Sequence, residues 1–201
     1  MRTCRSSLMS ALGLALALTA GTVVAEEAAK APSKEVVEQA VKKELSKWAV
    51  VGQQQMIYLT EHAIDQYEPE LLDDQPDLPA AWMLMKDGKT IKRINIDDQA
   101  GEAPATVRLL MYRAALKSIA RQREISAGAI LYTGKVKEGS DERALVVEYE
   151  HRLGISANKV IPFEVKGGKV LYGEPVTEDK PFQLFYDSKE DAAAQNAKNA
   201  K

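Results

Sequence analysis

The chain has 201 residues, with 27 basic and 29 acidic side chains and a formal net charge of −2. Its length suits a single domain that buries a hydrophobic core of its own. A chain without net positive charge lacks the counterion release that drives binding to nucleic acid, so we exclude that class of partner. The one cysteine, Cys4, lies near the start, and we therefore expect neither a disulfide nor a thiol nucleophile in the folded part.

The first 25 residues are typical of a secretory signal peptide. Arg2 and Arg5 precede an apolar run over 8–20, and small residues end the segment at Ala25. We expect cleavage near Ala25 and a periplasmic or secreted protein. The apolar run is shorter than the roughly 20 residues of a membrane-spanning helix, so no membrane span is expected. Residues 26–33 lack apolar periodicity and predict a disordered lead-in.

Apolar residues recur every three or four positions in the next segment and predict a long helix over 34–67. They are Val37, Val41, Leu45, Trp48, Gly52, Met56, Leu59, Ala63 and Tyr67. Gly52 costs about 1 kcal/mol relative to alanine inside a helix, so the sequence leaves open a break there. We expect Trp48 to pack on the domain. The long helix also offers a surface for self-association.

A hairpin and a second helix follow an acidic, proline-containing loop over 68–79. Strands are predicted over 82–85 and 90–96, because the Asp87-Gly88 pair between them favours a two-residue hairpin turn. Pro104 suits the first position of the second helix. Its predicted apolar face consists of Val107, Leu110, Met111, Ala114 and Ile119, and is widened by Leu109, Leu116 and Ala120.

Four further strands are predicted over 126–136, 143–152, 159–165 and 169–175, with a short final one over 182–186. Their short links favour antiparallel neighbours. Residues 188–201 contain no large apolar residue and predict a disordered tail. The predicted fold is a single α+β domain over 34–187, with an antiparallel meander of four to five strands in one sheet and helices on one face. This order is compatible with roadblock-like, cone-shaped NTF2-like and hot-dog domains, which set no activity.

The candidate catalytic residues lie on the strand over 143–152. Alternation places His151 on one side and Glu148 and Glu150 on the other. Two carboxylates can divide the roles of acid and base, which gives one hypothesis: a small hydrolase or isomerase using His151 with Glu148 or Glu150 in a helix–sheet cleft. A solvated strand face is the favoured alternative. The only other histidine is His62, and no cysteine accompanies either histidine, so neither a metal nor another cofactor is expected.

Candidate binding residues lie along the second helix. Arg113, Lys117 and Arg121 step by four and so share one ridge. Such a ridge can contact an anionic lipid head group, a cell-wall carboxylate or an acidic patch on a partner. The expected partner is an envelope protein or a small ligand. The alternative is a solvated edge of the helix.

Several segments of the C-terminal half resemble a loose family of bacterial exported proteins. They read YRAALKSIA (112–120), AGAILYTGKV (127–136), VEYEHRLGIS (147–156), VIPFEV (160–165) and GKVLYGE (168–174). The resemblance implies no activity, because that family has none assigned. With the predicted export, we therefore expect a non-catalytic binding or accessory protein of the bacterial envelope, with the hydrolase or isomerase as its rival.

Overall fold

The computed structural model describes residues 34–72, 78–136 and 139–199, without the side chains of Val36, Val37 and Asn199. The expected signal peptide (1–25) and lead-in (26–33) lie outside the described residues. No helix within those ranges has an apolar stretch long enough to cross a membrane. The helices and strands of the described residues follow in this order: α1 (Lys34–Leu71), β1 (Ala80–Met85), β2 (Ile91–Ile94), α2 (Asp97–Ala100), α3 (Ala105–Arg121), β3 (Ile125–Lys135), β4 (Arg143–His151), β5 (Ile155–Lys166), β6 (Lys169–Tyr172), β7 (Val176–Asp179) and α4 (Lys189–Asn199).

The strands form one antiparallel sheet in the order β2-β1-β3-β4-β5-β6, and β7 pairs with β5. The α+β class is therefore confirmed. The sheet has seven strands, more than the four to five of the expected meander, because the hairpin β1–β2 joins it through β3. β7 escaped prediction since all four of its residues are exposed and carry no apolar alternation. The expected strand over 182–186 is irregular chain.

Helices cover both faces of the sheet, so the expectation of helices on one face is wrong. Leu59 and Tyr67 of α1 are buried against Trp82 on one face. On the other face, Leu116 of α3 packs with Ala81. Neighbouring strand residues point to opposite faces, and β1 reads AAWMLM without a polar residue. A continuous apolar run of this kind is typical of a strand buried on both sides.

Helix α1 runs unbroken through Gly52. A Cβ atom at this position would lie 3.0 Å from Ile155 Cδ1 and 3.3 Å from Leu153 Cβ. Gly52 therefore allows the helix to approach the turn between β4 and β5. The helix does not break at Gly52, and the glycine is explained by this close packing.

The buried face of α3 agrees with the predicted one at Leu116 and Ala120 and differs from it elsewhere. Leu110 is 61% exposed and Val107 is also exposed. The side chains that are buried step by four along the helix: Arg108, Tyr112, Leu116 and Ala120. An arginine at the first of these positions hides the pattern from a search for apolar periodicity. It is buried because its guanidinium donates to Asp97 Oδ1 and to the carbonyl of Gly101, each at 3.0 Å.

The hairpin β1–β2 is present, and its connection is longer than two residues. It spans 86–90 and contains Gly88 at a φ of +69°. The Asp87 carboxylate accepts hydrogen bonds from the Thr90 hydroxyl and from the backbone N–H groups of Lys89 and Thr90. These bonds stabilise the charged carboxylate and lower the pKa of Asp87 to about 2.

The segment 188–201, expected to be disordered, instead forms helix α4 over Lys189–Asn199. Ala192 is buried, and the Asn196 side-chain amide donates to the Leu153 carbonyl at 3.0 Å. Alanine has the highest helix propensity, so this alanine-rich stretch forms a helix once it docks, although it lacks large apolar residues.

Candidate functional site

Glu148 is almost completely buried between β4 and α3, at 3% exposure. The Arg113 guanidinium donates to both of its oxygens, from Nε at 3.2 and 3.3 Å and from Nη2 at 2.7 Å. Bidentate pairs of this kind are among the strongest charge-assisted contacts in proteins. Accordingly, the pKa of Arg113 is raised by its hydrogen bonds to Glu148. This carboxylate is not a solvated strand residue.

Lys180 brings Glu148 and Glu150 together. Its Nζ lies 3.2 Å from Glu148 Oε1 and 3.8 Å from Glu150 Oε2, and all three side chains are buried. With Arg113 they form a buried charge cluster of two acidic and two basic groups. The charges balance, and Lys180 and both carboxylates are buried, while the Arg113 side chain is 32% exposed. The arrangement is that of a structural network.

Glu150 fastens the irregular segment 182–186 onto the sheet. Its carboxylate accepts hydrogen bonds from the backbone N–H groups of Gln183, Leu184 and Phe185, at distances from 2.7 to 3.2 Å. Each bond satisfies a donor that an irregular segment leaves without a partner. The predicted strand over 182–186 is thus replaced by irregular chain, three of whose backbone N–H groups donate to Glu150.

His151 lies on the opposite face of β4, where its ring is 1% exposed. The Leu153 backbone N–H donates to Nδ1 at 2.9 Å, so the proton sits on Nε2 and is donated to Gln55 Oε1 of α1 at 2.8 Å. Burial and the nearby Arg152 charge lower the pKa of His151 to about 4. The histidine is a neutral, fully bonded link between β4 and α1.

The structure does not bring the three candidate catalytic residues together. His151 faces α1, while Glu148 and Glu150 face α3 and the segment 182–186. A shared proton relay needs hydrogen-bond contact between the acid and the base. The sheet itself separates the two groups.

The predicted ridge is in contact with the protein's own carboxylates. Arg113 is engaged with Glu148. Lys117 and Arg121 both pair with Asp187, at 3.5 and 2.9 Å, and Arg121 also donates to the Leu184 carbonyl at 3.0 Å. The pKa of Asp187 is lowered, chiefly by its hydrogen bond to Arg121. The ridge therefore holds the C-terminal segment, and Lys117 and Arg121 keep an exposed side.

An apolar stripe on α1 extends beyond the sheet. Met56 and the core residues after it are buried, whereas Leu45 is 36% and Trp48 42% exposed. Both lie at helical spacing on the side of Gly52 and Met56. Gly52 meets the β4–β5 turn, and the stripe before it, on the N-terminal half of α1 (34–51), is not buried, although helix α4 also contacts α1. Trp48 is therefore only partly covered, whereas the sequence predicted that it packs on the domain.

Among the residues that the structure describes, no group of three or more histidine, cysteine, aspartate or glutamate side chains is arranged to hold a metal ion. His62 is half-buried on α1. Sequence reasoning missed Lys180, which follows an exposed strand and belongs to no periodic pattern. Its only local signal is its place between two acidic residues and Pro181.

Comparisons of the chain with protein-family models, with curated proteins and with solved structures each find no match. The resemblance to exported bacterial proteins stays a prediction.

Proposed function

We propose that this chain is an exported, non-catalytic binding or accessory protein of the bacterial envelope, periplasmic or secreted, and that it self-associates through the N-terminal half of α1. The observation that carries the proposal is the exposed apolar stripe of Leu45 and Trp48. Large side chains contribute to stability only when they are removed from water. A helix that continues its core-facing stripe beyond its own sheet therefore suits a surface that a partner covers.

A second copy of the same helix fits this surface by charge. Glu35 and Glu38 follow Lys34 near the start of the segment, and Lys42, Lys43 and Lys47 lie toward its end, where Glu44 pairs with Lys47. Two such segments packed antiparallel place the acidic end of each against the basic end of the other. The segment 34–51 is roughly 27 Å long at the rise of an α-helix, which gives both stripes room to face each other.

The non-catalytic part of the proposal is supported by how the candidate catalytic groups are engaged. Glu148 and Glu150 belong to the buried charge cluster, and His151 is neutral on the other face. The rival hypothesis of a hydrolase or isomerase requires these groups in one cleft. Their separation favours the binding role.

Export is the part of the proposal that depends on the sequence alone. Cleavage near Ala25 leaves a mature chain that begins at Glu26. N-terminal sequencing of the protein from a periplasmic extract tests this step, and an intact Met1 in that extract contradicts it.

Self-association is tested by sedimentation equilibrium of the chain 26–201 over a concentration series. We expect a dimer that Trp48→Glu and Leu45→Glu each convert to a monomer, because a charge in an apolar interface is strongly unfavourable. Val50→Glu is the matched control, since Val50 is also exposed on α1 but lies on the opposite side of the helix. A monomeric parent chain, or equal effects of all three substitutions, contradicts the proposal.

A further inference from the structure

A cleft of about 460 Å³ opens between the end of α3, the residue after β4 and helix α4. This volume lies within the range of ligand pockets, roughly 300 to 1,000 Å³. Four basic residues line it, Arg121, Arg123, Arg152 and Lys198, against the single carboxylate of Asp191. A concave surface with such an excess of one charge concentrates ions of the opposite sign.

Within the described part of the chain, three of these four cations form no salt bridge with a carboxylate. Arg121 pairs with Asp187. Among the described residues, no carboxylate forms a salt bridge with Arg123, Arg152 or Lys198. This contrasts with the buried charge cluster, where every charge faces its opposite. The basic cleft therefore retains uncompensated positive charge.

Arg123 and Arg152 line the same cleft. The pKa of Arg152 is lowered, first by burial; the nearby Tyr186 raises it, and the charge of Arg123 lowers it. The protein holds Arg152 in place despite this repulsion: its guanidinium carbon lies 5.8 Å from the ring centre of Phe185, and its carbonyl accepts the Tyr186 hydroxyl. An anion between the two groups would relieve the repulsion.

The backbone at Arg123 gives an independent indication. Arg123 follows the end of α3 with a φ of +62°, and it is the only residue other than glycine with a positive φ in the described ranges. Glycine is the usual residue at such a position after a helix, because a side chain there is strained. Strain of this kind is found mostly at functional sites. The chain keeps an arginine where its fold favours glycine.

From this geometry we propose that the basic cleft binds a small organic oxyanion, a phosphate or carboxylate group carried on a flat ring. Arg123 and Arg152 bind the oxyanion, since the planar guanidinium fork fits two oxygens at once. Lys198 adds a point charge from α4. Phe185 and Tyr186, which also line the cleft, provide the apolar wall for the ring.

This inference deepens the proposed function by naming a ligand class for the binding role. The inference rests on the proposed binding role but not on the proposed self-association, because the cleft and the N-terminal half of α1 share no residue. Trp48→Glu tests self-association and replaces no residue of the cleft, so failure of one idea is distinguishable from failure of the other.

The experiment is calorimetric titration of the chain 26–201 in a zwitterionic buffer, with phenyl phosphate, inorganic phosphate and benzoate as probes and chloride at equal ionic strength as the reference. We expect saturable binding of at least one ring-bearing probe, tighter than that of inorganic phosphate. Phenyl phosphate and benzoate then distinguish a phosphate from a carboxylate ligand. Absence of saturable binding of all three probes overturns the proposal.

Substitutions inside and outside the cleft distinguish binding at this site from a general effect of the protein's charge. Arg152→Gln is expected to lower the affinity for the probe by at least about tenfold. Lys198→Gln, at an exposed position, is expected to lower this affinity by a few-fold. Arg143→Gln is the matched control, because Arg143 also stacks on an aromatic ring, Phe163, but outside the cleft. Equal losses for Arg143→Gln and Arg152→Gln contradict the site.

Arg123→Gly gives the sharpest result. We expect this substitution to raise the melting temperature, because glycine suits a positive φ. We also expect it to lower the affinity for the probe by about tenfold, because a guanidinium is lost. A residue with only a structural role does not change stability and affinity in opposite directions. A variant that melts higher and binds the probe as the parent chain does removes Arg123 from the site and overturns the two-guanidinium proposal.

Discussion

The two faces of strand β4 are held by different physical means. Toward α1, the side chains of Leu145 and Val147 pack in an apolar core, and His151 is neutral and hydrogen-bonded. Toward α3, Glu148 and Glu150 belong to the buried charge cluster. One strand thus joins a core that depends on packing to a network that depends on charge balance.

The difference indicates where the protein is sensitive. An apolar face loses stability in proportion to the volume removed. A buried ion network loses far more when one partner is removed, because the remaining charge is left without compensation in a medium of low polarity. The α3 face also holds the C-terminal segment through Glu150, so damage there is expected to release residues that lie far from β4 in sequence.

The largest effect is expected from Glu148→Ala. It leaves Arg113 and Lys180 without their shared carboxylate and should lower the free energy of unfolding by about 3 to 5 kcal/mol. Val147→Ala, at the adjacent position but on the other face, should cost about 2 kcal/mol. Denaturant titration of both variants measures the difference. If Glu148→Ala costs no more than Val147→Ala, the charge cluster does not hold the α3 face.

The α+β class, helix α1, the hairpin at Asp87-Gly88 and the start of α3 could be predicted because they depend on local signals. Periodic apolar spacing, a turn dipeptide and a proline at a helix start act within a few residues of themselves. The alternation of β4 likewise separates Glu148 from His151 in the sequence. The structure places the two groups on the faces that this alternation predicts.

What surrounds these elements could not be predicted, because it depends on partners far along the chain. Glu148 resembles a solvated strand residue until Arg113 and Lys180, 35 residues before it and 32 after it in the numbering, close over it. Trp48 shares the stripe of Met56, yet Trp48 is exposed and Met56 is buried, a difference that helical periodicity alone does not contain. Helix α4 is likewise stabilised by docking, as the Asn196 contact with Leu153 shows.

A smaller effect is expected from pH on the α1 face. The pKa of His151 is about 4 in the folded protein against about 6.5 in an unfolded chain. The unfolded state therefore binds the proton first as pH falls, and this histidine should destabilise the fold by about 2 to 3 kcal/mol between pH 7 and pH 4. Thermal melts of the parent and of His151→Gln over this range measure the difference. Equal pH dependence in both would show that His151 is not the neutral link described above.

The smallest effect is expected at the exposed end of the ridge. Lys117 pairs with Asp187 at 3.5 Å, and both side chains are largely exposed, so Lys117→Gln should change the free energy of unfolding by roughly 0 to 1 kcal/mol. Arg113→Gln, on the same ridge but bonded to the buried Glu148, should cost about 2 to 4 kcal/mol, because it leaves a buried carboxylate with a weaker partner. The Lys117 effect should disappear in 1 M salt, where charges are screened within about 3 Å, while most of the Arg113 effect should remain. Denaturant titrations at low and high salt test both parts, and a large, salt-resistant loss for Lys117→Gln would show that the whole ridge is structural, with no side left for a partner.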